Sequence, residues 1–233
     1  MPLPGLHRTA PAMHARLDHV RNWIFDLDNT LYPHGARLFE QVDRRITDYI
    51  ARFFQVDRDE AYKIQKGYFH TRGTTLSGLM AEHGVDPYEY LADVHDIEMD
   101  VLDENAPLAA AIARLPGRKI IFTNADALYA GKILSKLGLG ETFEAIHDVH
   151  AAQYRPKPAP EAYRHLCDAY ALDPEQSLFA DDMARNLKPA KQIGMATLWV
   201  DNGSEQGEEG ERDFVDFTTR DIAHWLHEIL EEA

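Results

Sequence analysis

The sequence predicts an α/β fold: a Rossmann-like, doubly wound, mainly parallel sheet with an inserted α-helical cap. Three observations predict it. Short apolar, β-rich runs alternate with helical patterns, which implies right-handed βαβ units and a sheet covered on both faces. Acidic pairs close two of these runs, and open α/β sheets bind ligands at the carboxyl ends of their strands. A helical stretch much longer than an ordinary crossover separates the first run from the second.

Taken in order, residues 1–18 hold prolines, histidines and arginines but no apolar core of signal-peptide length. They read as a flexible extension. The first strand is expected over Trp23–Leu27. Arg37–Phe54 then carries Leu38, Val42, Ile46 and Ile50 at helical spacing, flanked by Phe39 and Tyr49. Glu60–Phe69, Leu76–Glu82 and Pro87–His95 also read as helices, and Ala109–Leu115 leads back to the sheet. Further strands are expected at Lys119–Phe122, Ala145–Val149, Ser177–Ala180, Ala196–Val200 and Phe214–Phe217. Helices are expected at Ala127–Leu137, Pro160–Tyr170, Ala184–Ile193 and Asp221–Leu230, with Gly138 and Gly194 where two of them end. The acidic, glycine-rich segment 201–213 reads as a solvated loop. The expected plan is a core of residues 19–32 and 105–233 around a cap of residues 33–104, whose connections lie beside the first strand's acidic end.

The chain of 233 residues is 45% hydrophobic, enough for one large domain or a domain with an insertion. Its formal charge is -15, and such a field repels nucleic-acid backbones. A small anionic substrate stays compatible, because a metal or local cations reverse the sign within a site. The single cysteine, Cys167, excludes an intrachain disulfide and a cysteine-based zinc site, and reads as a buried thiol. No apolar run is long enough to span a membrane, and the cytoplasm is the expected location. Nothing in the sequence specifies an oligomeric state.

The chemistry concentrates at the strand ends. Asp26-Leu27-Asp28-Asn29-Thr30 follows Trp23-Ile24-Phe25. While the chain stays extended, Asp26 and Asp28 point to one side. Neighbouring carboxylates raise each other's pKa unless a cation neutralises them, so the pair calls for a metal, a shared proton or a catalytic role. The alternative is a strand end with Asp28 or Asn29 capping the next turn. Thr123-Asn124-Ala125 ends the second strand, where a hydroxyl and an amide can bind an anion or cap the next helix. Arg155-Pro156-Lys157-Pro158 holds one lysine between two prolines. By itself that segment reads better as an exposed loop. Asp181-Asp182 ends the fourth strand, and in a parallel sheet both acidic pairs share one edge. Four converging carboxylates require a divalent cation, and Mg²⁺ suits oxygen ligands plus a substrate phosphate. Read jointly, these segments form a metal-assisted phosphoryl-transfer site with a carboxylate nucleophile.

In their ordered combination, Asp26–Thr30, Thr123-Asn124, Lys157 and Asp181-Asp182 resemble the four motifs of the haloacid dehalogenase (HAD) superfamily of phosphohydrolases. The resemblance implies Asp26 as nucleophile and Asp28 as general acid/base, with Thr30 supporting the loop. It implies Thr123, Asn124 and Lys157 around the phosphoryl group. It implies Mg²⁺ on Asp26, the main-chain carbonyl of Asp28, Asp182 as the main ligand, and Asp181 directly or through water. A narrower resemblance, through Asp28–Pro33, Arg72–Leu79, Thr123–Ala125 and Tyr154–Pro158, is to the pyrimidine 5′-nucleotidase subfamily. It implies nucleoside monophosphates such as UMP and CMP as substrates, with Thr74 and Thr75 near the substrate. The other reading of those threonines is a helix N-cap. Tyr68 and Phe69 are candidates to stack on a base, although packing within the cap explains them better. His34, where the cap opens, is a candidate substrate contact or a hinge-surface residue. His147 and His150 have metal-ligand spacing but read as structural or surface residues.

Competing readings are phosphatases for sugar phosphates or phosphoglycolate, a phosphomutase, a dehalogenase and a phosphorylated receiver-like switch. Asp28 and the inserted cap argue against the switch, and Asp28 with Asp182 argues against the dehalogenase. No Gly-x-Gly-x-x-Gly turn follows Leu27, which argues against a dinucleotide-binding dehydrogenase.

Overall fold

A computed structural model describes residues 15–204 and 212–231. The strands are β1 (Asn22–Phe25), β2 (Arg118–Phe122), β3 (Ala145–His147), β4 (Ser177–Asp181), β5 (Ala196–Val200) and β6 (Phe217–Thr219). They form one sheet in the order β3-β2-β1-β4-β5-β6, and every neighbouring pair is parallel. β1 lies centrally, where the strand order reverses, so the crevice beyond its carboxyl end is the expected place for a ligand.

Period-2 alternation divides the sheet residues between two cores. Trp23 and Phe25 join Ile121, Leu178, Ala180 and Leu198 on one face, against α5 (Ala106–Arg114), α6 (Ala127–Lys136) and α9 (Ile222–Glu231). Ile24 joins Ile120, Phe122 and Phe179 on the other, against α7 (Pro160–Tyr170) and α8 (Ala184–Gln192). Between β1 and β2 stands the helical cap: α1 (Leu38–Phe54), α2 (Arg58–Arg72), α3 (Thr75–His83) and α4 (Pro87–Val94). It has its own apolar centre of Ile50, Ala61, Leu76, Leu79, Tyr90, Leu91 and Val94. Capping side chains start α2, α3 and α4. Asp57 accepts from Glu60 N, Thr74 from Ser77 N, and Asp86 from Tyr88 N and Glu89 N.

Several boundaries differ from expectation for local reasons. β1 stops at Phe25, and a turn follows in which Leu31 N donates to Leu27 O and Asn29 takes φ 56°. Asp26 and Asp28 therefore do not lie on one extended segment. β3 stops at His147 because the Asp148 carboxylate turns to accept from Ala127 N and Ala151 N. The last strand forms over Phe217–Thr219, later than the expected Phe214–Phe217. Phe214 O and Asp216 are instead bound by Thr197 on β5. Helix α5 starts at Ala106, capped by Asn105 with a proline in its first turn. Gly138 and Gly194 follow α6 and α8 at φ 74° and 104°, as helix-terminating glycines do.

Residues 1–14 of the expected extension lie outside the described residues, as do residues 205–211 of the acidic loop. Residues 15–17 form a 3₁₀ turn, and Leu17 and Val20 are buried against the sheet. Among the described residues, no helix is long and apolar enough to cross a membrane.

Candidate active site

The loops after β1, β2 and β4 meet at the sheet's carboxyl edge. Asp26 leaves β1 with its N–H on Ala180 O at 2.8 Å, so β4 still fixes its backbone. Its Oδ1 accepts from Lys157 Nζ at 2.6 Å, and its Oδ2 from the Thr30 hydroxyl at 3.2 Å. The Thr30 oxygen also accepts from Asp182 N at 3.1 Å. Thr30 thus ties the first acidic loop to the last, which is the supporting place the sequence motif implied.

Lys157 is 2% exposed, although its sequence context taken alone favours an exposed loop. Its ammonium donates to Asp26, to Asp181 Oδ2 at 2.7 Å and to Phe122 O at 2.9 Å. The faces of Phe122 and Phe179 lie 5.2 and 5.3 Å from Nζ. Three donors and three acceptors match, which satisfies a buried ammonium completely. Burial alone would lower its pKa, but Asp181 and Asp26 outweigh this and lift it to about 12. Asn124 holds the lysine loop: its Oδ1 accepts from Lys157 N at 2.9 Å and its Nδ2 donates to Lys157 O at 3.2 Å. Its amide is thereby engaged with the lysine's backbone.

Thr123 is 2% exposed; its hydroxyl oxygen accepts from Ala125 N at 3.0 Å. Helix α6 starts later than Thr123-Asn124, with Asp126 as its cap, accepting from Tyr129 N at 2.9 Å. Neither Thr123 nor Asn124 is a helix cap.

Asp26, Asp181 and Asp182 are all buried, and each has a carboxylate oxygen within 4.8 Å of the others. They are the cluster of metal-capable side chains among the described residues. Asp181 is the most committed: Met183 N and Asn186 Nδ2 hold Oδ1, while Lys157 and Asn186 reach Oδ2. Asp182 Oδ2 accepts from the Ser204 hydroxyl at 2.5 Å. Desolvation pushes the Asp26 carboxyl up to about 7 against the pull of Lys157, and Asp181 and Asp28 add to the rise. Burial and then the charges of Asp181 and Asp26 raise Asp182 well above the usual range. One lysine facing three carboxylates leaves an uncompensated negative charge, so the donor set fits a hard divalent cation.

Asp28 stands apart from this cluster. Its Oδ1 accepts from the Tyr32 hydroxyl at 2.6 Å and from the Tyr129 hydroxyl at 2.8 Å. Burial raises its pKa while both phenols oppose the rise. Burial and the Asp28 charge hold both phenols protonated, well above their ordinary range.

The cap candidates are engaged within the cap. The Thr74 hydroxyl caps α3 and meets the Ser77 hydroxyl at 2.9 Å. The Thr75 hydroxyl donates to Gln65 O at 3.3 Å. Their neighbour Gly73 does approach the centre: a Cβ there would lie 3.1 Å from Pro156 Cγ and 3.5 Å from Lys157 O. Tyr68 packs on Gly78, where a Cβ would fall 2.1 Å from the ring, and its hydroxyl meets Glu82 at 3.0 Å. Phe69 carries the Arg185 guanidinium 4.0 Å over its ring. His34 opens a half-exposed 3₁₀ turn at the entry to the cap.

His147 is fully buried with neither ring nitrogen hydrogen-bonded, and His150 stacks on Tyr88 at 4.5 Å. Both fit the structural reading. Burial pushes the Cys167 thiol up to about 11, as for an inert core cysteine. Sequence reasoning missed Tyr32, Tyr129, Asn186 and Ser204 as partners of the acids. The i, i+4 spacing of Tyr32 from Asp28 and the first-turn position of Asn186 in α8 were available signs. Tyr129 and Ser204 carry none, because only the fold brings them in. A cleft of about 690 Å³ opens between α4 and α6, lined by Arg45, Tyr88, Leu91, His95, Leu128 and Tyr129 among others.

The chain matches a family model described as haloacid dehalogenase-like hydrolase over residues 20–194. It is 23% identical over 189 residues to Phosphate metabolism protein 8 of Saccharomyces cerevisiae, covering 74% of this chain and 59% of that protein. The chain thus spans about three fifths of that yeast relative's length. It is also 23% identical over 199 residues to the Phosphoglycolate phosphatase of Neisseria gonorrhoeae, covering 82% of this chain and 84% of that one. The magnesium-bound putative HAD-hydrolase YfnB of Bacillus subtilis superposes with TM-score 0.60 at 16% identity, over 91% of this chain and 99% of that one. With the family model spanning β1 to the end of α8 and all four strand-end motifs, the chain belongs to the haloacid dehalogenase-like hydrolases.

Proposed function

We propose that this hydrolase is a Mg²⁺-dependent phosphatase that cleaves small phosphomonoesters through an aspartyl-phosphate on Asp26. The observation that carries this reading is Lys157 bridging Asp26 and Asp181 beside Asp182, a centre that pairs a nucleophile with a fixed cation. Asp26 Oδ attacks phosphorus as the bond to the leaving oxygen breaks, and Asp28 gives that oxygen its proton. Asp28 then takes a proton from water as the water oxygen attacks the acyl phosphate, which frees phosphate and restores Asp26. Lys157 and the Thr123 hydroxyl stabilise the phosphoryl oxygens. Asn124 acts through its grip on the Lys157 backbone. Asp26, Asp182 and the main-chain carbonyl of Asp28 would hold Mg²⁺, with Asp181 beside them. When bound, the ion supplies Lewis-acid stabilisation of phosphoryl charge.

For substrate, we favour a small ester of the phosphoglycolate or sugar-phosphate class. The gonococcal relative named for phosphoglycolate aligns over most of both chains. The sequence resemblance that suggested pyrimidine nucleoside monophosphates rested on cap residues. Those threonine hydroxyls and the two aromatic rings are engaged in cap packing and with Arg185, which weakens that reading.

Phosphate release with Mg²⁺ from phosphoglycolate, sugar phosphates, UMP, CMP, AMP and GMP tests both levels. Preference for the small esters supports the reading, and EDTA should silence release until Mg²⁺ is restored. Preference for UMP and CMP would return the nucleotidase. Undiminished rates in EDTA would remove the metal, and no release from any ester would remove the phosphatase.

A further inference from the structure

Asp28 is held by two phenols, one of which, Tyr129, lies outside every motif of the strand ends. Tyr32 and Tyr129 are each 2% exposed, and both hydroxyls converge on Asp28 Oδ1, at 2.6 and 2.8 Å. A phenol has one proton to donate, so both are used on this oxygen. The other oxygen, Oδ2, is left for proton transfer. Tyr32 belongs to the same loop as Asp28, whereas Tyr129 comes from α6, 101 positions away. The Tyr129 ring is itself clamped. The His95 imidazole, at the C-terminal end of cap helix α4, lies on it with centroids 4.1 Å apart and planes within 16°. His95 Nδ1 meets Asp126 Oδ2 at 2.5 Å, and Asp126 Oδ1 accepts from the backbone N–H of Tyr129. The cap therefore seats one ring on the phenol that fixes Asp28, and the core anchors that ring through the helix cap of the same phenol.

We propose that Tyr129 is a positioning residue for the acid/base Asp28, and that His95 from the cap keeps it in place. This rests on the phosphatase reading above. With Oδ1 tied, protonated Oδ2 faces the leaving oxygen. As the phosphorus–oxygen bond breaks, its electron pair takes that proton and Asp28 is left as the carboxylate. In the second half of the cycle water returns the proton to Oδ2. A cap that is not seated would leave Tyr129 free to turn and Asp28 unaimed, so acid catalysis is coupled to cap docking.

The test compares esters that differ in their need for a protonated leaving group. In Tyr129→Phe the ring stays stacked and only the hydroxyl is lost. Its kcat on a small alkyl phosphate should fall by about 10-fold or more, and on p-nitrophenyl phosphate by less than about threefold, with KM steady within about twofold. His95→Leu should show the same bias at smaller size. In the Asp28→Asn background, Tyr129→Phe should add no further bias, because the two act on one proton transfer. Equal losses on both esters, a change confined to KM, or additive losses in the double variant would overturn the positioning role. An unbiased His95→Leu enzyme would overturn the coupling to the cap. A wild type that cleaves neither ester would overturn the phosphatase reading and this proposal with it.

Discussion

Asp26 and Asp28 stand two residues apart and occupy different chemical worlds. Asp26 faces the core: a buried lysine, a threonine hydroxyl and two further carboxylates. Asp28 faces two neutral phenols, one from its own loop and one from α6. Both carboxyls are raised by burial, but the opposing influence is a full cation for Asp26 and hydrogen bonds first of all for Asp28. The lysine fixes and partly neutralises the attacking carboxylate of Asp26. The two phenols instead hold the Asp28 carboxyl by one oxygen, an orienting arrangement that suits an acid/base. The turn that follows β1, with Asn29 at φ 56°, creates this division by taking the chain out of the extended form just beyond Phe25.

The comparison is best broken at Asp26 itself. Asp26→Asn removes the attacking oxygen and should cut phosphate release by at least ~10⁴-fold on every ester, activated or not. Substantial residual turnover in a quantitative phosphate assay would exclude Asp26 as nucleophile. Lys157→Met comes next. It leaves three buried carboxylates without their cation, so stability measured by urea unfolding should fall by roughly 3–5 kcal/mol in the metal-free protein. Added Mg²⁺ should recover part of that loss, and an unchanged midpoint would mean that the lysine does not balance the acids. On the other side of the comparison, Asp28→Asn should cost about 10²–10⁴-fold on alkyl phosphates and far less on activated aryl phosphates. Equal losses would reduce Asp28 to a structural role.

A smaller effect lies away from both acids. Burial, then the neighbouring His165, pushes His147 down to about 4, below the ordinary 6.5 of an unfolded histidine. Between those values the unfolded chain binds a proton that the folded chain refuses, so stability falls as pH drops from about 6.5 to about 4. The shift corresponds to roughly 3 kcal/mol at the acid end. Unfolding of wild type and His147→Leu at pH 7 and pH 4.5 would show it as a flatter acid dependence in the variant. Parallel slopes would remove His147 from the acid response.

How much was legible follows the same divide. The strand-end acids and Thr123 were readable because each closes an apolar run, and parallel strands bring such ends to one edge, whereas Lys157 was readable only through the ordered combination of the motifs. The burial of Lys157 was not readable from its own segment, since two prolines and a lysine look the same in solvent as under a sheet. Asn124 was readable as a polar group at the site but not as the clamp of the lysine loop, because its partner lies on a different connection. The cap was legible as a helical insertion. Packing for Tyr68 and a helix cap at Thr74 were both readable as the alternatives to substrate contact. The seat of Arg185 on Phe69 was not, because it joins the cap to α8.

By itself, then, the sequence determined the alternation of strand and helix, the cap's place between β1 and β2, and the identity of the acids. Periodicity and local turn chemistry encode those within short windows. Tertiary structure decided that the two motif aspartates part company and that β6 forms three residues late. It also decided that a tyrosine from α6, held by a histidine from the cap, reaches Asp28. The reason is physical: hydrogen bonds and ring contacts between residues distant in sequence depend on how the helices pack, and no local window contains that geometry.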